Sequence, residues 1–337
     1  HLYFGDLGGQ VFRADLNNNQ TKTGSSYSSF GVRVARLANL ATTDAGAALT
    51  DGKNPRFYEA PTVTIHDQAG TFIVVGIASG NRSTPLDVFP IQGRNGMSPA
   101  VALNDRLVNN VYGIIDRDFI NKDLMTIADT SLITRDKTLS TLQKDPQTIA
   151  SGSVISTFFP SSGTGKDGWY RSLSSKSDGT ERADNSFRIK GGMKAFEEPI
   201  ALTGNLIVPV YDPQGTGITP SNSCLPRVVG ETDRQLYCLP FGVCLNSDGT
   251  TNRVDELKTG FLTTIDTAKC PVGVTECNDN TLGSGIRGVA LVPKKDTSGS
   301  PDSCGRLTLA GNESGVGEWQ CTRKLNPTRW YEKYTSS

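Results

Sequence analysis

The sequence predicts an all-β protein, either a β-sandwich or a β-propeller carrying long loop insertions. Short apolar runs recur along the chain, Gly-rich turns separate them, and helical periodicity is weak. Three hairpins also share one order: apolar strand, Gly turn, then apolar strand ending in Asp or Asn. That self-similarity, at intervals of roughly 60 to 130 residues, favours the propeller.

The first hairpin lies in "LYFGDLGGQVFRADL", residues 2–16. Apolar residues alternate on both sides of a turn rich in glycine, and Asp6 is expected to accept backbone N–H bonds within that turn. Asp15 is expected to end the second strand. The second hairpin is "TVTIHDQAGTFIVVGIASGNR". Val63 and Ile65 point one way, and Thr62, Thr64 and His66 the other. Asp67 and Gly70 suit a type I turn. Phe72 to Ala78 is apolar on both faces and is expected inside a stack of sheets.

The third hairpin is "EPIALTGNLIVPVYDP", with Gly204 and Asn205 supplying the positive-φ turn. Further strands are expected at "GVRVARL", "NNVYGIID", "GWYRSL", "RQLYCL", "RGVALVP" and "RLTLAG". Lys137 to Ile149 is the one stretch with the pattern of a short helix, and Pro146 interrupts it. The polar segments "NNNQTKTGSSYSS", "SSGTGKDG", "PQGTGITPSNS" and "KKDTSGSPDSCG" are expected as surface loops.

Composition narrows the function classes. The chain has 337 residues, 36% of them hydrophobic, which suits a packed core. The longest apolar run, "FIVVGIA", is far shorter than the ~20 residues that cross a bilayer. No transmembrane segment is expected. No signal-peptide pattern opens the chain, which reads as a mature form or a fragment. Lys plus Arg and Asp plus Glu are balanced at 34 each, so no electrostatic footprint for nucleic acid is present.

The seven cysteines all fall late: Cys224, Cys238, Cys244, Cys270, Cys277, Cys304 and Cys321. Without a CxxC, their spread favours disulfides in an exported protein over a zinc site. Cys270 with Cys277 and Cys304 with Cys321 are the natural local pairs. A loop of the latter size is worth roughly 3 kcal/mol in the chain-entropy model. Cys238 with Cys244 is the favoured third bridge, leaving Cys224 over.

An ordered series of motifs then carries a resemblance. "LYFGDLGGQVFRADL", "RFYEAPTV", "VVGIASGNRSTPLD", "NNVYGIIDRD", "KDGWYRSL", "AFEEPIALTGNLIVPVYDP", "RQLYCL" and "TRWYEKY" follow one another over nearly the whole chain. The series resembles the C-terminal domain of the PilC/PilY proteins of type IV pili. The resemblance implies a modified β-propeller of the quinoprotein type. It implies a non-enzymatic role at the pilus tip, in biogenesis, in control of extension and retraction (hence twitching), and in adhesion. The implied partners are minor pilins of the tip complex and a host-cell or abiotic surface. The implied location is exported: periplasmic in transit, then at the pilus tip, outer membrane or cell surface.

The family keeps an Asp- and Asn-rich calcium loop immediately before the "YFGDLGG" hairpin. That loop would lie just upstream of His1, so no calcium ligand is carried over and no cofactor is expected in this chain. The strands amount to roughly four blades' worth. The chain, residues 1–337, is therefore expected to be one propeller domain that is incomplete, the C-terminal portion of a longer protein.

Catalytic and binding patterns are weak by comparison. "GDLGG" is not a dinucleotide fingerprint, and "GTGKDG" lacks the spacing and the Ser or Thr of a P-loop. The two histidines, His1 and His66, have no GxSxG partner, and His66 is expected at a strand end with a solvated ring. Quinoprotein dehydrogenases share the propeller but need a calcium-bound quinone, often roofed by adjacent cysteines, and none are adjacent here. A quinoprotein-like dehydrogenase and a glycan-binding module remain the alternatives. No catalytic residue is assigned.

Three acidic sets approach metal-ligand spacing. Asp15, Asn17 and Asn19 fit positions 1, 3 and 5 of a calcium loop, but Gln20 and Ser26 break it. Asn246, Asp248 and Thr250 lie near Asp255 and Glu256. Asp116, Asp118 and Asp123 form the third set. Each reads as a turn or solvated loop, and no metal site is assigned. Glu197 and Glu198 precede Pro199 and mark the approach to a strand. Trp169 and Trp330 are expected in blade cores, whereas Trp319, in a polar cysteine-containing stretch, is the candidate ligand-contact aromatic. No Arg-Gly-Asp tripeptide occurs.

Overall fold

The computed structural model describes residues 1–17, 22–23, 26–27, 31–50, 52–85, 108–120, 124–125, 127–146, 149–150, 152–173, 192–202, 204–213, 231–243, 245, 283–284, 290–294 and 306–310. In chain order its strands are β1 (Leu2–Gly5), β2 (Gln10–Asn17), β3 (Lys22–Thr23), β4 (Ser26–Tyr27), β5 (Gly31–Asn39), β6 (Thr62–His66), β7 (Phe72–Ala78) and β8 (Asn110–Asp116). There follow β9 (Gln143–Lys144), β10 (Gly168–Ser172), β11 (Lys194–Ala195), β12 (Ile200–Leu202), β13 (Asn205–Asp212), β14 (Glu231–Cys238), β15 (Gly283–Ser284), β16 (Ala290–Lys294) and β17 (Arg306–Ala310). The α-helix among the described residues is one short segment, α1 (Val154–Phe158). The protein is all-β.

The chain divides into two compact units, His1–Gly288 and Val289–Ser337. The second contains the antiparallel hairpin β16–β17. The first contains three main sheets, ordered β1-β2-β5, β6-β7-β8-β10-β9 and β11-β13-β14-β15, with β12 also paired to β13. Each is essentially an antiparallel meander. The exception is β9, which joins β10 in parallel.

The middle sheet is covered on both faces. Ile73, Val75, Ile77, Tyr112, Ile114 and Tyr170 share a core with Val11 and Leu37 of the first sheet. Phe72, Val74, Val111, Ile115 and Trp169 share the opposite core with Leu206, Val208 and Tyr237 of the third. Every residue of β7, β8 and β10 is buried. The apolar run of β7 thus lies inside a stack, as its two-faced pattern requires.

Two glycines set how closely the layers approach. Gly76, Gly113 and Trp169 are neighbours across β7, β8 and β10. A Cβ on Gly113 would lie 2.4 Å from the Trp169 ring, and one on Gly76 would lie 2.9 Å from Leu206 Cδ1. The middle of the sheet is therefore bare so that an indole and a leucine can settle onto it. Trp169 Nε1 donates to Pro240 O at 2.8 Å, so burial leaves its one polar atom satisfied.

Several local expectations change. Lys137–Ile149 is not a helix: Leu139–Thr141 makes a 3₁₀ turn and Gln143–Lys144 pairs with β10. Leu139 and Leu142 enter the core between the first two sheets, which decides the local form over helical spacing. The short helix falls instead at Val154–Phe158, where Val154 and Phe158 are buried. Asn205 belongs to β13, paired with Leu202 and Cys238, so of the two expected residues it is Gly204 that supplies the positive φ, at +80°. Asp15 does not end β2, which continues to Asn17.

On β6 the expected alternation holds, but the apolar side chains are the exposed ones. Val63 is 40% and Ile65 66% exposed. They lie in register beside Val75 and Ile73, which are buried.

Candidate interaction surface

The first sheet has one face inside the stack and one outside. On the outer face, register places Leu2 beside Ala14 and Val34, Phe4 beside Phe12, and Leu16 beside Val32. Leu2, Phe4, Leu16, Val32 and Val34 are each 42–57% exposed. Phe4 and Phe12 stack with centroids 5.2 Å apart. Three strands of this length present roughly 400 Å² from strand spacing and rise. A patch of that size matches the largest apolar patch of a typical monomer and is a candidate interaction surface. Arg36 forms part of the rim, bonded to Gln10 and Asp136 at 2.6 Å each.

The inner face is held by buried charge. Arg13 and Asp116 are fully buried, and Asp15 nearly so. Arg13 Nη1 donates to both Asp116 carboxylate oxygens at 2.8 and 2.7 Å, and its Nε donates to Asp15 Oδ1 at 2.8 Å. Tyr3 O–H donates to Asp116 Oδ2 at 2.9 Å. His1 Nδ1 lies 2.5 Å from Asp15 Oδ1. Burial works against the guanidinium charge, yet Asp116 and Asp15 outweigh it and hold the Arg13 pKa above its ordinary value. Burial, then Asp116, pushes the Tyr3 phenol up. Removing either partner of such a pair strands a charge in the core.

The acidic set at residues 116–118 is therefore not a solvated loop. Asp118 is buried too, accepting the backbone N–H groups of Ile133 and Thr134 at 3.0 and 2.7 Å. Its own N–H donates to Asp116 Oδ1. These carboxylates are committed to Arg13, Tyr3 and backbone donors. Asp15 is likewise a buried strand residue. Asp123, Asn19, Gln20, Asn246, Asp248, Thr250, Asp255 and Glu256 lie outside the described residues, while Ser26 is in β4. Among the described residues, no group of three or more His, Cys, Asp or Glu is placed to hold a metal ion.

A second polar cluster joins the middle and third sheets. Arg82 pairs with Glu59, donates to Phe196 O, and lies 6.0 Å from the Phe196 ring centroid. Lys194 donates to Thr84 O and to Pro85 O. Burial pushes the Glu59 carboxyl above the ordinary range; Arg82 opposes this, and Glu197 and Glu198 reinforce it. Glu197 and Glu198 do stand just before β12, and Thr62 Oγ1 donates to Pro199 O beside them. The cluster clamps the approach to β12 against the middle sheet.

His66 is half-buried instead of solvated. Its ring stacks on Phe72 at 5.7 Å, and Nε2 lies 2.8 Å from Thr64 Oγ1. Burial lowers its pKa, with Asp67 acting the other way. Asp6 plays the turn role expected of it: Oδ1 accepts from Gly8 N at 2.9 Å and Gln10 N at 2.7 Å. Lys166 of the "GTGKDG" segment reaches Ser140 O at 3.1 Å.

Cys238, at the end of β14, is disulfide-bonded, and its partner lies outside the described residues. Cys224, Cys244, Cys270, Cys277, Cys304, Cys321, Trp319 and Trp330 also lie outside them. No helix among the described residues is long and apolar enough to cross a membrane.

This chain matches no known family model, no curated protein and no solved structure.

Proposed function

We propose that this chain is the C-terminal portion of a type IV pilus-tip protein of the PilC/PilY kind. It acts without catalysis, in pilus biogenesis and surface attachment, through contacts with minor pilins and a target surface. The observation that carries the reading is the placement of the motif series. "LYFGDLGGQVFRADL" supplies β1 and most of β2. "NNVYGIIDRD" supplies β8 and the buried Asp116 and Asp118, and "KDGWYRSL" supplies β10 with Trp169. "AFEEPIALTGNLIVPVYDP" spans the clamp at β12 and runs on through β13. The quoted residues thus lie at the joints between layers, where a shared architecture would keep them.

Three antiparallel meanders stacked face to face suit consecutive blades of an open propeller. In that reading the apolar outer face of the first sheet belongs against a preceding blade of the same polypeptide. Its ~400 Å² is about half of what each partner buries in a standard protein–protein interface, so a covalently linked neighbour suits it better than a free one. Export follows from the same reading.

Deleting the gene tests the proposal. Pilus number, twitching and attachment are all expected to change, and unchanged values in all three would overturn it.

A further inference from the structure

The indole of Trp169 is closed in by two glycines. Gly113 meets the ring from the neighbouring strand, and Gly242 meets it from the turn after β14, where a Cβ would lie 2.5 Å from Trp169 Cδ2. Trp169 Nε1 donates to Pro240 O in the same turn. Phe241 is fully buried and stacks on Phe158 and Phe72, with centroids 5.0 and 6.3 Å apart. Residues 239–243 thus form a lid on the core between the middle and third sheets. Leu239 N–H donates to Gly204 O at 2.7 Å and Gly242 N–H to Cys238 O at 2.8 Å, which fixes how the lid leaves β14.

At the root of this lid stands Cys238, buried, disulfide-bonded and the last residue of β14. Cys244 lies outside the described residues, but the residues on either side of it do not. Val243 is buried in the core that holds Trp169, and Leu245 packs against that core. Gly242 is bonded back to Cys238, and two further residues reach at most about 7 Å. That reach covers the separation a disulfide bridges, about 4.4–6.8 Å between Cα atoms. Among the described residues, Val243 and Leu245 are the only direct neighbours of another cysteine. Cys224, Cys270 and Cys277 lie nearest in sequence to Glu231 and Gly283, and these sit together at the opposite end of β14, where Gly283 pairs with Thr232.

We propose that Cys238 and Cys244 form a bridge that locks this lid over Trp169, so that the core between the middle and third sheets closes fully only in the oxidised chain. Closing so short a loop removes the open conformations in which the lid leaves the indole. Without the bridge, β14 still holds one side of the lid and the other is released. The bridge forms by thiol–disulfide exchange: the two thiols give up two electrons and two protons to a disulfide oxidant, which leaves as its dithiol. Reduction by a dithiol runs the same exchange backwards. The inference draws on this core alone and stands whether or not the pilus assignment does.

Peptide mapping of the unreduced protein identifies the bond. Trypsin is expected to release residues 235–253 two hydrogens lighter than the reduced peptide, and the halves should stay joined after chymotrypsin cuts at Phe241. A bond from Cys238 to any other cysteine would overturn the proposal. Hydrogen exchange then tests the lock, in wild type and in the double variant Cys238→Ala with Cys244→Ala. The Trp169 indole N–H and the Gly242 amide are expected to exchange at least tenfold faster in the double variant. Val11 and Leu37, in the core between the first and middle sheets, are expected to keep their wild-type rates. Unchanged exchange at the indole would overturn the lock. So would an equal loss of protection in both cores, which would make the bridge a support of the whole fold.

Discussion

The indole of Trp169 lies over Gly113 on the neighbouring strand, so close that a Cβ on Gly113 would sit 2.4 Å from the ring. Trp169 is fully buried and also meets Tyr237 of the third sheet at 5.8 Å. Gly113 therefore sets the spacing between two layers.

Gly113→Ala should destabilise the protein by about 3 kcal/mol, the upper range for overpacking a filled core. In an open strand the same change would help slightly, because glycine costs more chain entropy than alanine. Urea unfolding of wild type and G113A checks this, and a neutral or stabilised variant would show that the indole is free to move aside.

Arg13 and Asp116 are 103 residues apart and fully buried, and they tie the first sheet to the second. Arg13→Ala should cost about 3–5 kcal/mol, because it leaves the Asp116 carboxylate without its counter-charge. The double variant Arg13→Met with Asp116→Leu should recover part of that loss, because Asp15 still loses its guanidinium partner and Tyr3 its acceptor. A cycle in which the two single losses simply add would contradict direct coupling.

Alkaline stability should report the buried phenols. Burial pushes the Tyr112 pKa up to about 12, with hydrogen bonds from Asn110 and Ser79 working the other way. Its contribution is complete below the unfolded value near pH 10 and is lost as pH rises towards 12. That loss is about 1–3 kcal/mol at one to two units of difference. Unfolding at fixed urea, followed between pH 9 and 12, should be steeper for wild type than for Tyr112→Phe. Parallel profiles would mean that Tyr112 titrates alike folded and unfolded.

Charges on the outer face should improve solubility at little cost in stability. Val32→Lys with Val34→Lys replaces side chains that are 52% and 56% exposed. The unfolding midpoint should move by no more than about 0.5 kcal/mol per site. Self-association by light scattering and binding of an apolar dye should both fall. A large destabilisation would mean that the face is already covered in solution.

What was legible in the sequence is what local chemistry dictates. Asp6 and its glycines form a turn whichever sheet receives it, and the two-faced apolar run of β7 could only be internal. What was not legible depends on residues distant in the chain. Nothing near Asp116 announces Arg13, so its acidic neighbourhood looks like a solvated loop. Leu139 and Leu142 have helical spacing with their surroundings, yet the first two sheets claim both. On β6 alternation identifies two faces, but only the extent of the neighbouring sheet decides which face is covered. The apolar outer face shows the same limit: the alternation of Leu2, Phe4, Val32 and Val34 looks like any half-buried strand until three strands align in register.

Amide hydrogen exchange across the three sheets tests most directly the claim that the middle sheet is the buried layer between the other two. We expect the slowest exchange at Ile73–Ala78 and Val111–Ile115 of the middle sheet, and exchange at least a hundredfold faster at Leu2–Gly5, a strand with exposed residues at alternate positions. Equal protection of β1 and β7 in the chain as it stands would contradict it.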